Sequence, residues 1–372
     1  MNFTNFFILG LSLSINLITS HLIPNNIFTI NKRNNNLIIK SDYIYNNVDN
    51  LENVDIVNNV DIVKNVENVN IVDIVNNVDK IDKIAEFKKL IRFNNTLPTF
   101  LINLFSGYIT SSSVNDLILN KSFIVTCIVT QLIMYSSMII NDLFDIPVDK
   151  INAPLRPLVR QTIKIHEAII MTILFYFISI LLNNTLVYGI SRNIANVSIL
   201  LSILYTPIFK KIPFVKNLVC SFVVANTVLY SGLIFVLNSH YNKLLFEFTK
   251  LIFTASLYIE ILQDVKDYDG DRENNINTLP VIFGIKKAVN MVFFLTSTLI
   301  LDIILNFLIN KSPVYNLLFI VPIVPLTINL ANIKTNCYSQ NSISKALNET
   351  TKSLIILLFI IFYIKHNLIV LF

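Results

Sequence analysis

The sequence predicts an all-α membrane protein of about nine transmembrane helices bundled around a central cavity, and three observations predict it. Of its 372 residues, 53% are hydrophobic and 14% charged, with a mean hydropathy of +0.62. A soluble domain of this size cannot hide so much apolar surface in one core. From Pro98 onward, apolar stretches of roughly 17 to 22 residues recur, each long enough to cross about 30 Å of hydrocarbon as a helix. The basic residues between these stretches concentrate in every second loop, and so on one side, as the positive-inside rule requires. A lipid bilayer is therefore the first partner the chain implies. The net charge of +5 is a topology signal, and no nucleic-acid partner is expected.

Taken in order, residues 1–41 read as a targeting leader. They contain no Asp or Glu, and an apolar run at 6–18 precedes an Asn-rich stretch with Lys32, Arg33 and Lys40. That is a signal-type segment joined to a basic, acid-poor transit segment, the arrangement of import into a plastid of secondary origin. An uncleaved membrane anchor and a mitochondrial inner-membrane location are the alternatives. Residues 42–87 read as a low-complexity spacer, because the octet at 54–61 recurs unchanged at 72–79 and two copies cannot bury a face. Residues 88–372 form the membrane domain. Its spans fall at about 98–116, 122–143, 163–184, 193–209, 217–238, 244–262, 287–308, 315–332 and 352–371. Lys88, Lys89, Arg92, Lys150, Arg156, Arg160, Lys164, Lys210, Lys211, Lys216, Lys266, Arg272, Lys286, Lys287, Lys334, Lys345 and Lys352 then share one side of the membrane. The three cysteines and four histidines are scattered and give neither a disulfide framework nor a metal-ligand pair.

Two acidic motifs stand on that basic side. Asn141, Asp142, Asp145 and Asp149 follow the second span, and the three aspartates at i, i+3 and i+7 share one helical face. Pro147 interrupts the motif, and its missing N–H predicts that Asp149 lies on a loop. Glu260, Asp264, Asp267 and Asp271 make a second stripe after the sixth span. Like charges so placed repel one another and call for a cation. Oxygen ligands shared between carboxylates, phosphate and water are what Mg²⁺ takes. Two such clusters suit departure of diphosphate from an allylic prenyl carbon: metal and fixed cations stabilise the leaving group, and apolar walls keep water from the carbocation. The chain supplies 27 Phe and 14 Tyr for those walls.

These residues resemble the UbiA superfamily of intramembrane prenyltransferases over residues 90 to 371. The first motif is similar to its Asn-Asp-x-x-Asp-x-x-x-Asp pattern, continued here by Lys150, Asn152, Arg156 and Pro157. Tyr205, Thr206, Lys210, Lys216 and Asn217 are similar to a second conserved stretch, and Gly270, Asp271, Arg272, Thr278, Leu279, Pro280 and Gly284 continue the second motif. Within the superfamily the likeness is to the chlorophyll synthase and geranylgeranylglyceryl-phosphate transferase branch. It implies Mg²⁺-dependent transfer of a polyprenyl group from a prenyl diphosphate donor to a lipophilic or aromatic acceptor, of chlorophyll, quinone or tocopherol type. The chain departs from the pattern at Leu97, where a basic residue usually precedes the proline, and at Arg160 and Gln161, where the family usually has Ser-Gly.

On this reading Asp142, Asp145, Asp149, Asp264, Asp267 and Asp271 hold the metal, with Asp142, Asp145, Asp267 and Asp271 as the catalytic set. Asn141, Arg156, Tyr205, Lys210 and Arg272 bind substrate, the Arg fork suiting phosphate oxygens. The alternatives are topology charges for Lys210 and Lys211 and an interfacial anchor for Tyr205. At the level of the whole chain, they are an ion transporter or a non-catalytic scaffold that uses the same acidic clusters.

Overall fold

The computed structural model describes residues 28–33, 36–41, 83–235, 239–274, 276–310 and 314–370. The chain divides into two compact units, 1–81 and 82–372. In the first, strands β1 (Phe28–Arg33) and β2 (Asn36–Ser41) pair antiparallel, with Phe28 opposite Ser41 and Ile30 opposite Ile39. In β1 the apolar Phe28 and Ile30 alternate with the polar Thr29 and Asn31, the period of two that a strand needs. The all-α expectation is thus departed from in the leader. The apolar run at 6–18 and the repeated octets lie outside the described residues.

The second unit is helical throughout its described residues. Helix α1 (Lys83–Leu90) starts in the segment read as spacer, and α2 is Thr96–Thr110. Short α3 (Val114–Leu119) leads into α4 (Lys121–Phe144), whose start is capped by the Asn120 side chain accepting from Phe123 N at 3.0 Å. Helices α5 (Ile146–Asn152), α6 (Ile165–Leu186), α7 (Gly189–Tyr205) and α8 (Val215–Gly232) follow. Then come α9 (Ser239–Lys266), α10 (Tyr268–Glu273), α11 (Leu279–Phe283), α12 (Ile285–Asn310), α13 (Ile323–Thr335) and α14 (Gln340–Val370).

Each expected span falls on a helix. Five segments among the described residues are long and apolar enough to cross a membrane: Lys121–Phe144, Ile165–Leu186, Ile285–Leu308, Leu317–Thr335 and Gln340–His366. The chain is a multi-pass membrane protein. Helices α2, α7 and α8 have 15, 17 and 18 residues, and α9 carries Glu247, Lys250, Glu260 and Asp264, so these four do not meet the same standard of length and hydropathy. Lipid is the natural solvent for α6, which leaves Ile169, Ile170, Ile173, Leu174, Phe177 and Leu181 exposed.

Interior contacts are both apolar and polar. Tyr258, Ile261, Leu262 and Val265 of α9 pack with Val289 and Val292 of α12, Leu330 of α13 and Ala346 of α14. Small polar side chains join helices where water is excluded. Tyr230 OH donates to Asn183 Oδ1 at 3.0 Å, Asn226 Nδ2 to Ser198 Oγ at 3.0 Å and Tyr176 OH to Ser202 Oγ at 3.0 Å, tying α6, α7 and α8. Lys365 is fully buried; its Nζ donates to the carbonyls of Tyr108 and Ser111 and so caps the C-terminal end of α2. A groove of about 470 Å³ is lined by Phe214, Lys287, Asn290, Met291, Phe294 and Leu295, none of them from either acidic motif.

Candidate active site

Both motifs are built at helix breaks, and the fold brings the breaks together. Helix α4 ends at Phe144, and Asp145, with φ −90° and ψ 1°, closes it and opens α5. Pro147 stands in the first turn of α5, where its missing N–H costs nothing. Asp149 therefore lies on a helix, its N–H bonded to Asp145 O at 2.7 Å, which corrects the loop expected from the proline. The second motif repeats the device: α9 ends at Lys266, Asp267 breaks the helix at φ −91° and ψ 10°, and α10 resumes. Helices α5 and α10 touch.

Arg156 Nη1 donates to Asp142 Oδ1 at 2.6 Å and to Asp149 Oδ2 at 2.7 Å, and Arg92 Nη2 reaches the same Asp142 oxygen at 3.0 Å. Lys210 Nζ donates to Asn141 Oδ1 at 2.9 Å and pairs with Asp145. Across the site, Asp264 accepts from Lys216 Nζ at 2.6 Å and Asn217 Nδ2 at 2.9 Å. Tyr205 is half-buried and lies near Cys220, Glu260, Asp264 and Asp145. Asp271 is buried near Thr278, whereas Asp267 and Arg272 are exposed. Arg272 stands outside the ion-pair network, unlike Arg156 and Lys210.

The apolar residues beside these groups hold them in place. Leu90 and Ile91 precede Arg92, Ile139 lies one turn before Asp142, and Leu158 follows Arg156; all four are buried in one cluster with Ile163 and Ala168. The same loop is fastened by Glu86, which accepts from Thr162 Oγ1 and Lys89 Nζ, each at 2.6 Å, and pairs with Arg160 at 3.8 Å. Burial lifts the Glu86 carboxyl, but the bonds from Lys89 and Thr162 outweigh it and hold the group below its ordinary range.

The acids exceed the bases. Asp142, Asp145, Asp149, Glu260, Asp264, Asp267 and Asp271 meet only Arg92, Arg156, Lys210 and Lys216 in this network. Burial pushes Asp149 up to about 6, with Arg156 opposing and the neighbouring aspartates adding to the effect. Asp271 also rises to about 6, from burial first, with Lys216 opposing and Asp264 and Asp267 reinforcing. No three acidic, His or Cys side chains among the described residues converge as a ready-made metal cage. The donor set nonetheless fits a hard divalent cation: it consists of oxygens in excess of their counter-charges, and Mg²⁺ takes one or two carboxylates with the rest from phosphate and water.

Arg92, Lys216 and Asn217 were not singled out as site residues by sequence reasoning. All three lie at the ends of spans, where Arg92 and Lys216 read as topology charges; the signal for Lys216 and Asn217 is their place in the stretch that resembles the family. The left-handed backbone of Arg92, φ 49°, is a structural signal with no counterpart in composition.

The model of the UbiA prenyltransferase family matches residues 98–360. The chain belongs to that family. Among its UbiA relatives, the digeranylgeranylglyceryl phosphate synthase of Sulfurisphaera tokodaii is 31% identical over 259 residues, or 69% of this chain and 90% of that protein. The same-named protein of Saccharolobus solfataricus is 29% identical over 243 residues, 65% of this chain and 84% of its own. Among solved structures, one described as giving insight into digeranylgeranylglyceryl phosphate synthase in membranes aligns with TM-score 0.59 and 21% identity, covering 76% of this chain and 98% of its own. A UbiA homologue from Archaeoglobus fulgidus bound to GPP and Mg²⁺ aligns with TM-score 0.56 and 17% identity over 74% and 99%. At such identities the structures bear on the fold alone. As a UbiA protein, the chain is a membrane prenyltransferase, and the transporter and scaffold readings find no support.

Proposed function

We propose that this UbiA enzyme transfers a geranylgeranyl-type chain from its diphosphate to the hydroxyl of a prenylated glyceryl phosphate, with Mg²⁺ as the ion. The observation that carries the reading is the meeting of α5 and α10, which puts both aspartate motifs and four cationic side chains around one space. The acceptor is chosen over chlorophyllide and quinone or tocopherol precursors because the relatives at 29–31% identity bear that synthase's name.

In this reading Asp142, Asp145, Asp149, Asp264, Asp267 and Asp271 hold the ion. The chemistry a bound Mg²⁺ supplies is neutralisation of the charge that builds on the diphosphate as its bond to carbon breaks. Arg156 and Lys210, which engage carboxylates in the free protein, turn to phosphate oxygens when the donor arrives. Arg272 meets the diphosphate from the water-facing rim, and Asn141 fixes the Lys210 amine. Tyr205 closes the space between the motifs and keeps water from the allylic carbon. The acid-free leader favours delivery to a plastid membrane over a mitochondrial one, and the archaeal relatives support neither location.

Membranes containing the full chain, given labelled geranylgeranyl diphosphate and a panel of acceptors, test the reading. Transfer to the glyceryl phosphate lipid, abolished by chelator and in D145A and D271A, is the expected result. Transfer only to chlorophyllide or an aromatic acid, or transfer indifferent to chelator, overturns it. Imaging of a fusion of residues 1–95 reports the compartment.

A further inference from the structure

Glu260 belongs to the second acidic stripe but sits apart from the metal and diphosphate set. It lies on α9 one turn before Asp264, about 6 Å further into the bundle along the helix axis. Asp142, Asp145, Asp149 and Asp264 each hold a cationic partner. No Lys or Arg among the described residues forms an ion pair with Glu260; its partner is the Cys220 thiol, which donates to Oε1 at 3.2 Å. A thiol is a weak donor, so the carboxylate keeps lone pairs free for a proton. Asp267 and Asp271 also lack an ion pair, but they lie on the far side of Asp264, toward the helix break, where the diphosphate charge requires ligands.

The charged and titratable groups around Glu260 come from several elements. Tyr205 ends α7, Cys220 and Lys216 lie on α8, Asp264 lies on α9 itself, and Arg92 precedes α2. On the reading above, a donor held at its diphosphate by the motifs would direct its apolar chain, first carbon foremost, into the bundle on the Glu260 side of Asp264.

We infer that Glu260 is the general base of the transfer, an inference that rests on the hydroxyl-acceptor reading above. The acceptor oxygen forms a bond to the first prenyl carbon as that carbon's bond to the diphosphate oxygen breaks. The diphosphate leaves with the electron pair, and the hydroxyl proton passes to the Glu260 carboxylate. Electrons and atoms balance with no further reactant. A positioned base of this kind contributes on the order of 100-fold or more to rate.

The test compares the native full chain with E260Q and E260D in lipid nanodiscs, measuring geranylgeranyl diphosphate binding in Mg²⁺ and kcat/KM for the hydroxyl acceptor across pH. E260Q is expected to bind donor within about threefold of the native chain, to lose about 100-fold or more in transfer, and to lose the acid limb of the pH profile. E260D is expected to recover part of the rate and the limb. Transfer by E260Q within threefold of native overturns the base while the hydroxyl-acceptor reading stands. If E260Q fails to bind donor, E260D decides: donor binding with an acid limb shifted from the native one supports the base, and an unshifted limb overturns it. A native chain that transfers to no hydroxyl acceptor overturns both.

Discussion

At the residue scale the site depends on one guanidinium nitrogen serving two buried carboxylates. Arg156 Nη1 lies 2.6 Å from Asp142 and 2.7 Å from Asp149. Its removal leaves Asp149 without a cationic partner in a place where burial already lifts its carboxyl to about 6. R156A is expected to lower stability by about 2 kcal/mol, less than the ~3–5 kcal/mol of a fully buried pair because the side chain is partly exposed, and to weaken donor binding at least tenfold. R156K keeps the charge without the rigid fork and should fall between. Thermal unfolding in detergent, with and without donor, measures both effects. The neighbouring departure from the family pattern has an opposite consequence. Gln161 stands where the family usually has Gly, and it occupies the left-handed region at φ 59°. Q161G should therefore raise stability by about 1 kcal/mol, with donor affinity unchanged. Unchanged or lower stability would show that the Gln161 side chain, not its backbone, sets the energy of this loop.

At the element scale, helices α2 and α4 approach closely at Gly107, where an added Cβ would come within 2.3 Å of the Phe123 ring and 2.7 Å of a Leu117 methyl. G107A is expected to cost about 1–3 kcal/mol through overpacking. Gly107 lies on the last turn of α2, at the opposite end from Arg92 and the aspartates, so donor affinity should stay within about threefold; a large loss of affinity would refute that separation. The long helices were legible in the sequence because a run of apolar residues is a local signal, and each expected span meets a helix. Short α1, α3, α5, α10 and α11 were not, since a helix of five to eight residues leaves little periodic trace. Whether Pro147 interrupts a helix or opens one depends on where α4 ends, which the local sequence does not mark. The aspartates were legible as spaced acids. Their partners were not: Arg92 and Asp142 are 50 residues apart, Lys216 and Asp264 48. From composition alone a basic residue at a helix end is as easily a topology charge as a ligand.

At the scale of the molecule, the arrangement requires both motifs and the α13–α14 turn to share one face of the membrane. Within the helical unit, Gln340 Nε2 donates to the carbonyl of Lys266 at 3.1 Å, so this turn stands beside the second motif. The turn carries Cys337, which is exposed, whereas Cys127 is buried and Cys220 partly so, bonded to Glu260. A native reporter of topology is thereby built into the chain. A membrane-impermeant maleimide should label Cys337 in sealed vesicles only from the face that presents the aspartates, and C337S should remove the signal. Ser112 is exposed in the turn after α2, at the end where Lys365 caps that helix. S112C in the C337S background should label from the opposite face. An even number of crossings between residues 112 and 337 would put both on the same face, and labelling of both from one side of the vesicle would therefore overturn the nine-span arrangement. Labelling from opposite sides leaves the motifs and the basic residues on the face where a water-soluble diphosphate head and its ion arrive, while the prenyl chain enters through lipid.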